Sequence, residues 1–158
     1  MTLDIDIGDG ADALTINQLR DALDGTYWIS GWGATSGMGD YEVDIASGEG
    51  AVDGTTVETE STATVDLGTE VDPDSPRKVV VYVDESGVIQ YVAGDPAPAR
   101  PSGETRFRTY DPAPPAIVSG VVVAEVWIDA GATAIAGVDI RDRRVGNTGA
   151  EGPPSTTV

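Results

Sequence analysis

The chain has 158 residues, no cysteine and no histidine, and its 27 Asp and Glu against 9 Lys and Arg give a net charge of −18 at pH 7. Without cysteine, neither disulfides nor thiolate metal sites can support the fold. The small basic clusters at Arg106 with Arg108 and at Arg141 with Arg143 and Arg144 are too few to favour binding to the phosphates of a nucleic acid. No run reaches the ~18 apolar residues of a membrane span, so no membrane insertion is expected.

The acidic excess predicts adaptation to concentrated salt. In dilute buffer such a surface repels itself and destabilises the compact state, whereas molar salt shortens the Debye length to about 3 Å. The alternatives are an ordinary acidic protein and a disordered chain, since high net charge is also typical of disorder. Disorder fits poorly, because hydrophobic residues make up 40% of the chain and fall in strand-sized runs.

Residues 1–40 predict an N-terminal attachment region with one strand and one short helix. Leu3–Ile7 alternates between apolar and acidic residues, as a strand does. Thr15 and Gln18 have the spacing of a capping box, and a helix that begins there has Leu19 and Leu23 on one face. Because so short a helix is marginal alone, Leu19 and Leu23 are interface candidates, within the subunit or around a three-fold axis.

The next segment, Tyr27 to Gly33, is rich in aromatic residues and glycine and predicts a turn. Two large aromatic residues in a small domain favour a role as core anchors. The alternative is a surface for partner binding or sugar stacking. Trp28 and Trp32 are therefore both core and interface candidates.

Residues 41–145 predict a mainly β module, an antiparallel β-sandwich-like fold. Val57 to Leu67 is polar and β-branched and predicts one strand, and Val79–Val83 with Val88–Val92 predicts a hairpin. The proline-rich stretch Gly94 to Pro115 predicts an extended loop, with a short strand at Arg106–Tyr110. Residues 146–158 are expected to form a flexible C-terminal tail.

Val121–Ile128 is apolar at nearly every position and predicts a strand buried on both faces. A second sheet or helix on one side and a symmetry mate on the other would supply that burial. The pattern therefore predicts an obligate symmetric oligomer, most simply a homotrimer, with Trp127 at or near the contact. Ion pairs within Asp139–Arg144 are expected to tie the end of the module together, with Arg141 and Arg143 as further interface candidates.

The side chains available do not favour catalysis. The usual general base and thiol nucleophile are absent, and a Ser–Lys pair would need Lys78, the single lysine. Two carboxylates can hydrolyse a glycosidic bond, but among 27 acids some pairs lie close by chance. Asp4 to Gly10 looks like a calcium loop only superficially, since Thr15 stands where the bidentate carboxylate belongs. We expect no enzyme, no cofactor and no specific metal site.

The order of four segments along the chain indicates a protein family: Gly48–Thr55, Pro76–Asp84, Val92–Ala97 and Gly120–Arg144. In that order, and over roughly residues 40 to 145, the chain resembles tail-fibre and baseplate proteins of tailed viruses. The resemblance implies a structural virion protein of the tail, a homotrimer that docks to other tail proteins at the tail tip. It also implies contact with a host glycan or S-layer through a distal fibre. With the acidic composition, the expected host is a salt-loving archaeon.

Fibres of that family usually continue well beyond the Asp-Arg cluster, so a short adaptor is expected here. Two other classes stay open. One is a capsid decoration or turret protein, which is also acidic, β-rich and oligomeric. The other is a carbohydrate-binding module or small glycosidase, suggested by Tyr27, Trp28 and Trp32 near Asp24 and Asp40.

Overall fold

The computed structural model describes residues 25–97 and 113–146. These residues form ten strands in three antiparallel sheets and two short 3₁₀ helices, which confirms the prediction of a mainly β, sandwich-like fold. The predicted strand Leu3–Ile7, the helix with Leu19 and Leu23, and the strand Arg106–Tyr110 lie outside the described residues.

The strands follow one another closely along the chain. They are β1 Tyr27–Gly31, β2 Ala34–Ser36, β3 Glu42–Ile45, β4 Gly48–Val52, β5 Thr55–Thr59, β6 Ala63–Asp66, β7 Arg77–Val83, β8 Ile89–Ala93, β9 Val121–Ile128 and β10 Ile140–Asp142. The 3₁₀ helices are Gly68–Glu70 and Gly137–Asp139. Within the described ranges, no helix is long and apolar enough to cross a membrane.

The two three-stranded sheets, β1-β4-β5 and β2-β3-β6, are halves of one bent meander. β1 leads into β2, β3 into β4 and β5 into β6, so each pair is one long strand with a break. The Trp32 amide donates to the Ser47 carbonyl (3.1 Å) and the Ala46 amide to the Gly33 carbonyl (3.0 Å), which continues the hydrogen-bond ladder through the bend. Gly31 and Trp32 both have positive φ, 67° and 55°, and turn the chain there.

This bend corrects three sequence predictions. The predicted turn over Tyr27 to Gly33 is wrong, because the β-favouring residues from Tyr27 form β1 and only Gly31 to Gly33 bends. The single strand predicted over Val57 to Leu67 is two strands, since the chain crosses the same bend after Thr59. The β module also includes β1 and β2, which precede the predicted boundary at residue 41.

The third sheet has the order β10-β9-β7-β8 and is antiparallel throughout. The predicted hairpin is confirmed, with Val79 opposite Ala93 and Val83 opposite Ile89. The strand predicted over Val121–Ile128 is also confirmed, at both ends. A register shift between Val81 and Tyr82 bulges β9 against β7, which increases the local twist of the sheet.

The hydrophobic core lies between this sheet and the bent meander. Alternate residues of β7 and most residues of β9 meet apolar residues of the meander, each fully buried side chain contributing about 1.5–3 kcal/mol. The core includes Trp32, Val43, Ile45, Val52, Leu67, Val79, Val81, Val83, Val123, Val126 and Ile128.

The opposite face of β9 is buried as well. Glu125 is 1% exposed and Trp127 is 0% exposed within a single chain. The pattern correctly predicts burial on both faces, but a symmetry mate is not needed to supply it. The Trp127 side chain itself does not reach the surface of the chain, and a subunit contact near Trp127 stays a prediction.

The strand register places like charges directly opposite each other on the meander. Glu49 faces Glu58 on β4 and β5, and Glu42 faces Asp66 on β3 and β6. Directly opposed like charges destabilise an antiparallel pair. The acidic surface therefore contains local repulsions in addition to its overall net charge.

These pairs predict how the thermal unfolding midpoint depends on salt. The midpoint of the natural protein should climb steeply from dilute buffer to molar KCl as repulsion is screened. Glu58→Lys places opposite charges across β4 and β5. In dilute buffer it should raise the free energy of unfolding by roughly 0.2–1 kcal/mol, and in molar KCl the increase should be small. Glu85→Lys, at an exposed turn position, is the matched control for net charge. A wild-type midpoint that stays flat would contradict adaptation to salt, and equal gains in the two variants would contradict the local repulsion.

Candidate functional site

The last described segment, residues 143–146, ties the four-stranded sheet to β1, and we call it the C-terminal strap. The Arg143 amide donates to the Val123 carbonyl of β9 (3.1 Å). The Trp28 amide donates to the Val145 carbonyl (2.8 Å), and Trp28 forms a parallel bridge with Gly146. The strap thus closes the module across two sheets.

Arg144 fixes the strap through its guanidinium. Nε donates to Asp142 Oδ1 (2.9 Å), Nη2 to Asp142 Oδ2 (2.6 Å) and Nη1 to the Gly31 carbonyl (2.8 Å). The guanidinium carbon lies 5.1 Å from the centroid of the Trp28 ring, a cation–π contact. Trp28 Nε1 also donates to the Gly31 carbonyl (2.8 Å), so one carbonyl at the bend accepts from both side chains.

The Asp142–Arg144 pair carries a pH dependence. The hydrogen bonds from the Arg144 side chain lower the pKa of Asp142 below its ordinary value of 3.8, against the opposing effect of partial burial. The hydrogen bond to the Asp142 carboxylate in turn raises the pKa of Arg144 above its ordinary value. A lowered carboxyl pKa gives stability that is present above the unfolded value and lost as pH falls through the folded value. Since the Asp142 side chain is 58% exposed, solvent screening keeps this contribution small.

We expect the strap to loosen in acid before the core does. As pH falls through the lowered pKa of Asp142, the carboxyl takes up a proton and releases Arg144, so the Trp28 amide should lose protection against hydrogen exchange relative to its intrinsic rate at each pH. Asp142→Asn should show this lower protection already at neutral pH and lose its acid dependence. Hydrogen exchange followed at the Trp28 amide measures it, with the Val81 amide of the core sheet as reference. If protection of the Trp28 amide depends on pH in the same way in the natural protein and in Asp142→Asn, the Asp142–Arg144 pair does not hold the strap.

Beneath the strap lies a buried ion cluster. Lys78 Nζ is 2.8 Å from Glu125 Oε1, and Arg143 Nη1 is 3.1 Å from Glu125 Oε2. Lys78 and Glu125 expose 3% and 1% of their side chains, whereas Arg143 exposes 44%. The cluster joins β7, β9 and the strap, because one buried carboxylate contacts a cation from each neighbour.

The predicted ion pairs at the end of the module are confirmed by Asp142–Arg144 and Glu125–Arg143. Asp139 is different: it is buried, and its Oδ2 accepts from the Ala136 amide (2.8 Å), which stabilises the turn before β10. Glu125 was not singled out from the sequence. An acid inside an apolar strand was the available signal, since a buried carboxylate needs a cation.

The other predicted site residues fall into two groups. Trp32 is 0% exposed, its ring lies against β4 and its Nε1 donates to Thr59 Oγ1 (2.7 Å), so it is a core anchor and its prediction as an interface residue is wrong. Trp127 is equally buried, and its Nε1 donates to Asp129 Oδ1 (2.6 Å). Arg143 lies in the strap and Trp28 and Arg141 lie close to it, and all three are at least partly exposed.

A cleft of about 620 Å³ opens beside the strap. It lies between the outer face of β2 and β3 and the segment that contains β10. Its lining residues are small or polar for the most part: Gly33, Ala34, Thr35, Asp44, Ala46, Thr62, Gly137, Ile140, Asp142 and Arg144. Among the described residues, no group of three or more His, Cys, Asp or Glu is arranged to hold a metal ion.

Comparisons with protein-family models, with curated proteins and with solved structures find no significant match to this chain.

Proposed function

We propose that this protein is a structural component of a tailed virion, the β-rich attachment module of a tail-fibre or baseplate assembly. The proposal rests on the sequence resemblance, and three of the four segments that carry it contain whole strands of the fold. Gly48–Thr55 includes β4 and its turn, Pro76–Asp84 includes β7, and Gly120–Arg144 includes β9 and β10. The acidic surface supports a virus of a salt-loving, haloarchaeal host.

The observation that best supports an adaptor is where the two flanking segments leave the module. The Gly54 amide donates to the carbonyl of Gly25, the first described residue (2.8 Å). Gly146, the last described residue, pairs with Trp28 on the strand that follows Gly25. Gly25 and Gly146 thus both lie beside β1, so these two residues are on the same side of the module.

Self-association into a homotrimer is part of the proposal and rests on the resemblance alone, since one chain buries β9 by itself. The surface beside the strap, with Ile29 42% exposed and Val145 60% exposed, is the contact that we favour. Light scattering in molar salt should give the mass of a trimer. A monodisperse monomer at micromolar concentration would refute self-association and leave docking to another virion protein possible.

Peptide mass spectrometry of purified particles, split into tail and capsid fractions, tests the function. The protein should be found in the tail fraction, in a fixed ratio to other tail proteins. Its absence from particles would refute a virion role. Recovery with the capsid fraction would favour the decoration or turret protein instead.

A further inference from the structure

The cleft beside the strap has two walls formed by different parts of the fold. One wall is the outer face of the bent meander. Asp44 stands between the buried Val43 and Ile45 on β3 and so points away from the core, with Thr35 opposite on β2. Its other wall is formed by Ile140, Asp142 and Arg144.

The polar groups of this cleft are held in place before any ligand arrives. Asp44 Oδ1 accepts from Thr64 Oγ1 (2.7 Å), which orients the carboxylate on the sheet. The guanidinium of Arg144 is held by Asp142, by the Gly31 carbonyl and by the Trp28 ring. Fixed acceptors and donors on rigid strands lower the ordering cost of binding.

Size and charge narrow the class of ligand. A volume of about 620 Å³ lies within the range of small-molecule sites, roughly 300–1,000 Å³. Two carboxylates and one guanidinium line the cleft, and the whole chain carries a charge of −18, so an anion is repelled. Ala34, Ala46 and Ile140 offer small apolar surfaces between the polar groups.

A sugar ring matches this combination. Each hydroxyl both donates and accepts, so neighbouring hydroxyls can donate to a carboxylate and accept from a guanidinium. The C–H face of the ring can lie on the alanines and Ile140. Stacking on Trp32 is excluded because that side chain is buried, and one face of Trp28 is covered by Arg144.

From this geometry we propose that the cleft binds a neutral sugar residue of a glycan, with Asp44 and the Asp142–Arg144 pair as its polar contacts. This binding activity goes beyond the proposed structural role and does not depend on it. The cleft has the same geometry whether or not the protein is part of a virion.

Binding is tested on the full chain in molar KCl, with neutral oligosaccharides of glucose, galactose and mannose and with a uronic-acid oligosaccharide as the anionic probe. Saturation-transfer NMR should show saturable binding of at least one neutral oligosaccharide and none of the uronic acid. Asp44→Ala should weaken that binding about tenfold or more, as expected for a lost hydrogen bond to a charged group. Ala46→Leu should weaken it by filling the cleft without changing charge.

Glu85→Ala is the matched control, because it removes one carboxylate from an exposed turn that does not line the cleft. Its affinity should equal that of the natural protein. No binding of any neutral probe by the natural protein would overturn the proposal. Binding that is unchanged in both Asp44→Ala and Ala46→Leu, or equal binding of the uronic acid, would overturn it too. None of these outcomes changes whether the protein is found in the tail fraction of a virion.

Discussion

Trp32→Ala is expected to lower the free energy of unfolding by about 3–5 kcal/mol, as does truncation of a large buried aromatic residue. The ring is fully buried at the bend of the meander. A Cβ on Gly48 or Gly50 would come within 2.6 or 2.5 Å of it, so the chain has no side chain there to fill the space it leaves. The substitution also leaves Thr59 Oγ1 without its indole donor.

Urea unfolding in molar KCl measures this loss. Trp32→Phe keeps most of the packing and loses the hydrogen bond to Thr59. The lost bond should lower the free energy of unfolding by about 1 kcal/mol, and the smaller ring should lower it further. Trp28→Ala is the matched control, because Trp28 is only partly buried. If Trp32→Ala is no more damaging than Trp28→Ala, Trp32 does not anchor the bend.

Glu125→Gln is expected to destabilise the protein by about 3–5 kcal/mol, since removing one partner of a buried ion pair is strongly destabilising. The carboxylate is 1% exposed and faces Lys78 and Arg143. Arg143 is 44% exposed and can turn to solvent, whereas Lys78 is 3% exposed. The loss of unfolding free energy should therefore come mainly from the broken contact with the buried Lys78.

The double replacement Lys78→Met with Glu125→Leu separates the charge from the packing. Apolar residues of similar volume in place of a buried ion pair are often neutral or stabilising. The double variant should then unfold at higher urea concentration than Glu125→Gln alone. A Glu125→Gln variant within about 0.5 kcal/mol of the natural protein would mean that the cluster contributes little, as at an ordinary surface site.

Local sequence pattern predicted those parts of the fold that depend on neighbouring residues. The apolar run Val121–Ile128 and the hairpin over Val79–Val83 were located correctly, because alternation and turn residues act over a few positions. The bend was not predicted. It depends on Gly31 and Trp32 adopting positive φ beside Ser47, which lies between β3 and β4, and no local pattern shows this contact.

The candidate site depended even more on distant contacts. The cluster Asp139–Arg144 was recognised as a set of ion pairs, but its attachment to Trp28 joins opposite ends of the sequence. The role of Trp32 is set by Gly48 and Gly50 on another strand. Oligomerisation was inferred from burial of Val121–Ile128, but the strand is already buried within one chain, so its burial does not require a partner and oligomerisation stays a prediction.

Imaging of the intact particle at subnanometre resolution tests the proposed place of this protein most directly. The map should contain density at the tail tip that fits the bent meander and the four-stranded sheet, in symmetric copies that contact one another beside the strap. A fit found only on the capsid surface, or nowhere on the particle, would contradict a role in the tail.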